Sequence, residues 1–374
     1  MKSLYFLNLI GFSQTGGLEK FNRCFMKAVD ELGAELNYTS NAASLYDTVA
    51  NEQYYPAIQY KGFNQSLAKF VPAAIFAGLS KDVIILGHIN LAVIGWVIKT
   101  IAPSKKLMVI CHGIEVWQPV TGIKKKMLQK VDRVLAVSEY TKQQIVEKQG
   151  LPADKVSVFH NTIDPFFDYP QEFAKDRALM ARYDIAHTDY VVYTLCRLSS
   201  KEQYKGYDSV IKAIAKLVAK YPNIKYLLAG KYDEVEKARL DKLIADNTLQ
   251  SNIIFAGYIK DEEVTKHYQL SDVFIMPSKG EGFGIVFIEA MACGRNVIAG
   301  DADGSKDALR NGELGVILDA DNVDAIATAI AEKIDNKEKY DAAYAAGLQQ
   351  KVVEYFGFAA YKQKLKGILN PILN

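Results

Sequence analysis

Short apolar runs alternate with helix-like segments along nearly the whole chain, and this alternation restricts the possible folds more than any other feature of the sequence. In the first half, helical patterns separate five runs that have the length of a strand. The runs are residues 4–10, 82–86, 107–111, 133–137 and 155–159, and the helical patterns include 17–32, 92–101 and 141–149. Most runs are apolar throughout, which is typical of parallel strands covered by helices on both faces. The pattern predicts a doubly wound α/β sheet.

The second half repeats this pattern after residues 165–170, an aromatic and proline-rich stretch that is typical of a linker. Its predicted strands are 190–196, 225–229, 253–256, 272–276, 296–299 and 315–318, and its predicted helices are 206–220, 232–247, 262–270, 285–293 and 323–334. A last helical segment, 342–369, carries an aromatic stripe that we interpret as a packed brace across the domains. Two tandem domains of this kind predict a ligand site at the C-terminal ends of the strands, in a cleft between the domains.

The composition is that of a soluble globular protein. The 374 residues are enough for two separate cores, and a net charge of +2 gives no case for nucleic-acid binding. The four cysteines, Cys24, Cys111, Cys196 and Cys293, have no metal-ligand spacing, so we expect them to be buried in a reducing compartment. Because neither a signal peptide nor an apolar stretch of about 18 residues is present, we expect a cytoplasmic protein.

The stretch from Ser278 to Gly294 carries the clearest chemical pattern. It reads Ser-Lys-Gly-Glu-Gly-Phe-Gly-Ile-Val-Phe-Ile-Glu-Ala-Met-Ala-Cys-Gly and follows a predicted strand. Gly280, Gly282 and Gly284 form a loop whose backbone can approach a ligand closely, and the spacing after them is helical. A glycine loop that leads into a helix N-terminus presents free amides and the positive end of the helix dipole. The stretch therefore predicts a phosphate site.

Two carboxylates, Glu281 and Glu289, flank this predicted phosphate site. Glu289 lies about one turn inside the helix, roughly 6 Å further along its axis, so the two cannot share a proton as a catalytic pair. They could instead hold hydroxyl groups at opposite ends of an extended ligand whose phosphates lie between them. The alternative is a solvated Glu281 and a Glu289 on the helix surface, with no ligand.

Two cations are predicted at the same edge of the second sheet. Arg197 follows the strand 190–196, and Lys205 stands at the start of the next helix. A planar guanidinium and a lysine charge suit a diphosphate, to which each charged hydrogen bond contributes about 1.5–3 kcal/mol. The alternative is a surface arginine and a solvated lysine.

The first half offers a weaker glycine loop and two histidines. Gly16 and Gly17 follow the first strand and permit a tight turn in which the Gly17 amide could meet a phosphate. The loop lacks the G-x-G-x-x-G spacing of NAD and FAD sites. His112 ends the strand 107–111 beside Gly113, so it is a candidate ligand contact, whereas a structural hydrogen bond is equally compatible with the pattern. For His88 we favour the structural interpretation.

Lys124, Lys125 and Lys126, with Lys105 and Lys106 upstream, form a local basic patch. A solvated helix face is the simpler interpretation. The alternative is peripheral docking on an anionic membrane at the inner face, to which each lysine would contribute about 1 kcal/mol.

Taken together, these motifs resemble the retaining glycosyltransferases of family 4. The Glu281-x7-Glu289 block in its strand–loop–helix setting carries most of the resemblance. The Gly16-Gly17 loop, Arg197 with Lys205-Gly206, and the segments 137–141, 161–164 and 307–315 extend it over most of the chain. Within 161–164, Thr162 stands where the family often has glycine, and we expect this to alter a turn.

The resemblance implies the GT-B fold, in which two Rossmann-like domains face each other across a cleft and a C-terminal helix crosses back. It implies an acceptor domain over 1–168, a donor domain over 169–352 and a final helix over 353–374. By position, Glu281 would bind the donor sugar and Glu289 the ribose, while Arg197 and Lys205 would neutralise the diphosphate. The remaining donor contacts would be the amides of Phe283, Gly284, Ile285 and Val286, Gly16 and Gly17 at the phosphate, His112 beside the sugar, and Tyr258 and Ile259 at the base.

The predicted activity is transfer of a hexosyl unit from a UDP-hexose or GDP-mannose to a sugar or lipid-linked sugar acceptor, in polysaccharide or glycoconjugate assembly. The departing phosphate can itself take the acceptor's proton, so retention by front-side attack needs no dedicated base. We expect neither a metal nor a cofactor, because two cations and a helix N-terminus already stabilise the leaving group. The alternatives are a sugar-nucleotide epimerase of the same fold and a non-catalytic sugar-nucleotide binding protein.

Overall fold

The computed structural model describes residues 1–373 and separates into two compact units. The first unit contains Met1–Pro165 and the C-terminal residues from Phe356 onward, and the second is Phe166–Tyr355. The chain therefore passes between the units twice. The limits predicted from the sequence, after residues 168 and 352, lie three residues after the first passage and three before the second.

The first unit has a seven-stranded parallel sheet in the order β3-β2-β1-β4-β5-β6-β7. The strands are β1 (Lys2–Asn8), β2 (Tyr38–Ser44), β3 (Tyr60–Gly62), β4 (Val83–Leu86), β5 (Lys106–Cys111), β6 (Arg133–Ala136) and β7 (Val156–Val158). The helices are α1 (Gly17–Glu35), α2 (Leu67–Leu79), α3 (Ala92–Ile101), α4 (Ile114–Trp117), α5 (Gly122–Lys130) and α6 (Glu139–Gln149). The strand order reverses direction between β1 and β4, the position at which doubly wound sheets bind ligands.

The second unit has a six-stranded parallel sheet in the order β10-β9-β8-β11-β12-β13. The strands are β8 (Tyr190–Leu195), β9 (Ile224–Ala229), β10 (Ile253–Gly257), β11 (Val273–Met276), β12 (Asn296–Gly300) and β13 (Val316–Leu318). The helices are α7 (Arg177–Arg182), α8 (Tyr207–Leu217), α9 (Glu234–Asp246), α10 (Val264–Leu270), α11 (Ile285–Ala292), α12 (Ser305–Ala308), α13 (Val323–Asp335) and α14 (Ala342–Phe356). Here the order reverses between β8 and β11, so the segments after these two strands meet at one edge.

The single helix predicted over 342–369 was wrong. The chain instead forms α14 and a separate last helix, α15 (Phe358–Leu373), with Gly357 between them. Glycine is among the weakest helix formers, which accounts for the break. In the first unit α15 lies against α1, where Lys362 pairs with Glu31 at 2.8 Å and Lys366 pairs with Glu35 at 3.0 Å.

Thr162, the departure from the family pattern, has a defined role in the first unit. Its hydroxyl donates to the carbonyl oxygen of Phe356 at 2.8 Å, and the amide of Ile163 donates to the same oxygen at 2.9 Å. These two hydrogen bonds fasten the segment after β7 to the point where the chain re-enters the unit. A glycine would supply only the backbone bond of its neighbour.

The four cysteines are not joined in disulfides. Cys24, Cys111 and Cys293 are buried as predicted, whereas Cys196 is only half-buried. Cys196 directly follows β8 at the edge of the sheet, where fewer side chains cover it.

Candidate active site

The glycine loop and the helix predicted in the second unit are present. β11 ends at Met276, and α11 begins at Ile285 with Gly284 as its N-cap. Gly284 has φ +85°, and a side chain there would lie 2.4 Å from the Phe287 ring, so the loop requires glycine at this position. The first amides of a helix have no acceptor within it. The amides of Ile285 and Val286 are therefore directed out of the helix start, as a phosphate site requires.

Lys205 and Glu281 form an ion pair at this edge of the sheet. The lysine ammonium donates to the Glu281 carboxylate, and both side chains are about 15% exposed, at 15% and 14%. Burial alone would lower the pKa of Lys205, but the neighbouring Glu281 carboxylate raises it above the ordinary value. The lysine is therefore charged at physiological pH. The structure thus joins a cation and a carboxylate that the sequence placed 76 positions apart.

The turn that carries Lys205 packs directly on the glycine loop. The amide of Lys279 donates to the Tyr204 carbonyl at 2.9 Å, and Gly280 lies against the Tyr204 ring. Gly206 has φ +77°, and a side chain on it would lie 2.2 Å from the carbonyl oxygen of Pro277. The position of Lys205 is therefore fixed by backbone contacts with the loop.

Arg197 lies in the same neighbourhood but is much more exposed. Its guanidinium pairs with Glu202 at 3.0 Å, and 70% of the side chain is accessible. The Lys205 ammonium lies 5.5 Å from the centre of the Tyr204 ring, and both cations act electrostatically on the Tyr204 hydroxyl, so the two lie in one neighbourhood. The exposed pair with Glu202 is weak, because solvent screens it. Arg197 can therefore exchange Glu202 for a diphosphate at little cost.

A residue that the sequence analysis missed, Asp303, holds the backbone of Glu281. The Asp303 carboxylate accepts from the Glu281 amide at 2.6 Å and from the Ser305 amide at 2.9 Å, and it is fully buried. Burial raises the pKa of Asp303 to about 6, and the nearby negative charge of Glu281 adds to the increase. Asp303 follows β12 and carries no pattern of its own, so no signal in the sequence identified it.

The raised pKa of Asp303 predicts a pH dependence of stability. In the unfolded chain the group ionises near 3.8, so between this value and about 6 the folded protein binds more protons. The free energy of unfolding should therefore fall as the pH rises through this window, by up to about 3 kcal/mol. Thermal melts of the wild type and Asp303→Asn between about pH 4 and pH 7 measure it. Parallel curves for the two proteins would contradict the prediction.

Glu289 lies inside the second unit. It is 1% exposed, and its carboxylate accepts from the Tyr268 hydroxyl at 3.0 Å. The alternative interpretation, in which Glu289 lies on the helix surface, is therefore wrong. Its assignment to a ribose stays a prediction, in which Tyr268 would hold the carboxylate in place.

The residues predicted to meet the base lie after β10. Tyr258 is half exposed, and the ammonium of Lys231 lies 4.9 Å from the centre of its ring. Ile259 is buried. An accessible aromatic ring with a cation beside it can stack with a planar base. Their role in donor binding stays a prediction.

In the first unit, the glycine pair Gly16-Gly17 does not form the tight turn that the sequence suggested. Gly16 caps α1 in an extended conformation, with φ −177°, and a side chain on Gly17 would meet no atom of the described residues within 4 Å. The space beside Gly17 is therefore open, whereas the Glu19 carboxylate lies next to Gly16 at the same helix start. The preceding loop is held by Asp47, another missed residue, whose carboxylate accepts from the amides of Gly11 at 2.8 Å and Ser13 at 2.9 Å.

His112 and His88 lie side by side at the end of the first sheet. Their rings are 5.9 Å apart and nearly parallel, and Nε2 of His112 donates to the Gly87 carbonyl at 2.7 Å. Burial lowers the pKa of both, that of His88 to about 4, so both rings are neutral at physiological pH. His88 Nδ1 accepts from the Asn90 amide at 3.0 Å, in agreement with a structural role. For His112 the bond to Gly87 leaves Nδ1 as the acceptor.

The three lysines of the basic patch differ in the structure. Lys124 is half-buried and donates to the Asn90 side chain at 2.6 Å, whereas Lys125 and Lys126 are exposed on α5. Lys124 is therefore part of the protein surface network around His88, and only the other two are presented to solvent. Among residues 1–373, no group of three or more His, Cys, Asp and Glu side chains is arranged to hold a metal ion.

Two protein-family models match this chain. The model of Glycosyltransferase Family 4 matches residues 15–166, and that of Glycosyl transferases group 1 matches residues 176–350. The chain is 28% identical over 257 residues to the GDP-mannose-dependent alpha-(1-6)-phosphatidylinositol monomannoside mannosyltransferase of Mycolicibacterium smegmatis, which is 66% of this chain and 65% of that protein. It is 26% identical over 225 residues to the O-antigen chain mannosyltransferase B of Escherichia coli, which is 60% of this chain and 57% of that protein. The alignments thus span less than two thirds of these relatives.

Among solved structures, the chain is similar to Anabaena HepE in complex with UDP and glucose. The TM-score is 0.77 at 20% identity, and the comparison covers 99% of this chain and 100% of the other. This likeness establishes the fold. The two family models together cover most of the sequence and divide it as the two units do. The chain belongs to the family 4 glycosyltransferases and has their two-domain, Rossmann-like GT-B fold.

Proposed function

We propose that this protein is a retaining hexosyltransferase that uses a nucleotide-diphosphate sugar. The observation that carries the proposal is the Lys205–Glu281 pair beside the open N-terminus of α11. A buried ammonium and a helix start supply positive charge, whereas a carboxylate held in place by Asp303 supplies an acceptor for sugar hydroxyls. A sugar diphosphate carries phosphate charges and sugar hydroxyls close together, so its site needs the positive charge and the carboxylate within the length of that ligand.

The chemistry follows from where negative charge develops. As the bond between the anomeric carbon and the diphosphate oxygen breaks, charge accumulates on the β-phosphate, where Lys205, Arg197 and the α11 amides stabilise it. Since these groups are preorganised, the reaction needs no bound metal. The acceptor hydroxyl attacks from the face that the phosphate leaves, and its proton passes to a phosphate oxygen. Retention follows from this front-side attack.

The proposed class of donor is inferred from the similar proteins. Two of them carry mannosyltransferase in their names, one with GDP-mannose as donor, and HepE was solved with UDP and glucose. We propose that the second unit binds either a UDP-hexose or GDP-mannose and that the first unit takes a sugar or lipid-linked sugar acceptor. His112, with Nδ1 as an acceptor, would contact the sugar.

A thermal-shift screen of UDP-glucose, UDP-galactose, UDP-N-acetylglucosamine and GDP-mannose tests the donor. At about 100 times its dissociation constant, the true donor should stabilise the protein by about 2.7 kcal/mol. The selected donor is then incubated with and without acceptor sugars. Transfer, or slow donor hydrolysis, supports the proposal. Interconversion of the sugar would identify an epimerase, and binding without turnover a sugar-nucleotide binding protein.

We further propose a peripheral membrane contact on the first unit. Helices α2, α3 and α5 cover the same face of the sheet, since Phe70, Ile98 and Met127 share one core cluster. The outer surface of α2 and α3 exposes Phe76 at 82% and Ile101 at 63%, and α5, which packs beside α3, carries the exposed lysines. Apolar side chains beside lysines match an anionic lipid surface. Among residues 1–373, no helix is long and apolar enough to cross a membrane.

The contact predicts a loss of lipid binding when the exposed lysines are removed. Lys125→Ala/Lys126→Ala should weaken binding to phosphatidylglycerol vesicles about thirty-fold, since each lysine contributes about 1 kcal/mol. Lys124→Ala should have a smaller effect, because Lys124 is held by Asn90. Vesicle sedimentation measures both. The matched control is Lys216→Ala/Lys220→Ala, which removes two exposed lysines from the second unit. Unchanged binding by the α5 variant would rule this surface out.

A further inference from the structure

The second unit contains a cavity at the edge of the sheet opposite the candidate active site. It has a volume of about 610 Å³ and lies where β8, β11 and β12 begin, with Tyr190, Asp272 and Asn296 in its lining. The active-site residues follow the other ends of β8 and β11. At about 3.3 Å per residue, the strands separate the two places by more than about 13 Å. The cavity is therefore distinct from the donor site.

Arg295 is the most unusual group in this cavity. It is 9% exposed, and its guanidinium donates to three backbone carbonyls, those of Cys293 at 2.9 Å, Ser271 at 3.0 Å and Phe173 at 2.9 Å. Among residues 1–373, no carboxylate lies within ion-pair distance of it. Three of its five N–H groups are used, so two remain. The carboxylate that acts on its charge is Asp272, which is outside ion-pair distance, so an anionic ligand would supply the direct counter-ion that the buried guanidinium lacks.

The neighbours of Arg295 favour the same class of ligand. The Oδ1 atom of Asn296 accepts from the Tyr344 hydroxyl at 3.0 Å, so its amide nitrogen is the group left to donate. The Asp272 carboxylate, which would repel an anion, is neutralised by Lys175 at 2.6 Å and bonded by the Val191 amide at 2.7 Å.

The rest of the cavity wall combines flat apolar surfaces with the exposed side chains of Gln171, Glu172, Lys337 and Asp341. Solvent screens the two exposed carboxylates, and Lys337 carries the opposite charge. Phe173 and Tyr340 provide aromatic rings, and Ala342, Ala345 and Ala346 of α14 form an opposing surface without long side chains. A ligand that fills this space needs a charged end for Arg295 and a planar body for the rings.

We propose that this cavity is a second ligand site, which binds a small organic molecule with an oxyanion group, carboxylate or phosphate, on a flat apolar body. The Arg295 guanidinium binds the oxyanion, and the aromatic rings and alanines pack against the apolar body of the ligand. The site lies at the C-terminal end of α11, the helix whose N-terminus forms the phosphate site. The inference does not depend on which sugar the protein transfers.

Calorimetric titration of the full chain with sodium benzoate tests the proposal, with benzamide as the uncharged counterpart. We expect one saturable site for benzoate at about 1 mM or tighter, and at least about tenfold weaker binding of benzamide. Arg295→Lys, which keeps the charge but loses the fork, should weaken benzoate about tenfold. Because this variant also loses carbonyl contacts, Ala346→Trp is made alongside it. Ala346 is an exposed residue of the cavity lining, so a tryptophan there should occupy the cavity while Arg295 itself stays unchanged.

The variants distinguish benzoate binding in the cavity from binding elsewhere on the protein. Loss of benzoate binding in Ala346→Trp, with circular dichroism unchanged, and retention in Lys205→Ala would support the cavity as the site. Absence of saturable binding, equal binding by Ala346→Trp, or loss of binding in Lys205→Ala would overturn the proposal. A loss confined to Arg295→Lys would overturn it as well, since it would then reflect altered packing.

Discussion

Lys205→Ala should lower the rate of sugar transfer at least about tenfold. The lysine supplies the buried positive charge next to the α11 N-terminus, and one charge-assisted hydrogen bond is worth about 1.5–3 kcal/mol, or ten- to over a hundredfold in rate. The change also leaves the Glu281 carboxylate without its partner at 14% exposure, close to where the diphosphate would lie. Initial rates with the donor selected by thermal shift measure the effect. Near-wild-type turnover would contradict the assignment.

A double variant separates two explanations of such a loss. If Lys205 only neutralises Glu281, then Lys205→Ala/Glu281→Gln should be no slower than Glu281→Gln alone, because the charge that Lys205 pairs with is already gone. If Lys205 also meets the diphosphate, the double variant should be at least about tenfold slower than Glu281→Gln. We expect the second result. Lys201→Ala removes an exposed lysine four residues earlier and serves as the matched control. Arg197→Ala should also reduce transfer at least about tenfold, since the screened pair with Glu202 leaves Arg197 available to the diphosphate.

The other large effect should come from Gly206→Ala. Gly206 has φ +77°, a conformation that costs an alanine about 1 kcal/mol, and the added methyl group would lie 2.2 Å from the Pro277 carbonyl oxygen. Since the methyl group is fixed to the backbone and the atom it meets is a backbone oxygen, relief requires a shift of the turn that carries Lys205. We expect a loss of about 2–4 kcal/mol in stability, and a melting temperature lower by about 4–16 °C. Transfer should fall with it, because Lys205 moves.

Gly257→Ala is the control for backbone strain alone. Gly257 has φ +69°, close to that of Gly206, but a side chain there would meet no described atom within 4 Å. Its replacement should therefore cost only about 1 kcal/mol. Differential scanning calorimetry of the two variants gives the comparison. Equal losses of stability in the two variants would mean that the contact with Pro277 adds nothing to the effect of Gly206→Ala. The inference that the turn packs tightly on the loop would then be wrong.

The sequence predicted the fold best where strands are buried on both faces. All six strands of the second sheet were predicted, because most residues of each strand are apolar. In the first sheet β2 and β3 were missed: β2 reads Tyr-Thr-Ser-Asn-Ala-Ala-Ser, without the apolar signal, and β3 has only three residues. Helix α2 was missed as well. It contains Pro72 and has almost no polar face, so neither a helical period nor a helix propensity marked it.

The sequence predicted the site residues that belong to a motif. It did not predict those whose role depends on contacts made only in the folded chain. Strand ends and helix starts can be predicted from the sequence, and they define the positions of the glycine loop, Lys205 and Glu281. Asp303 and Asp47 act by accepting backbone amides of residues 22 and 36 positions away, and no sequence pattern states which amide a carboxylate will meet. Arg295 is similar, since its three carbonyl partners come from different segments. Such residues are defined only by the tertiary structure.

The return of α15 to the first unit constrains how this protein can be synthesised. Tyr361 lies 4.4 Å from the Phe159 ring, and Leu365 and Leu369 are fully buried, so the last helix completes a core whose strands were made first. During translation the first unit therefore cannot complete its core until the ribosome has synthesised the second unit and α15. Until then, part of the core of the first unit is exposed. The second unit, a continuous segment, has no such delay. Expression of the first unit alone should require joining its two segments directly, and residues 1–165 by themselves should aggregate.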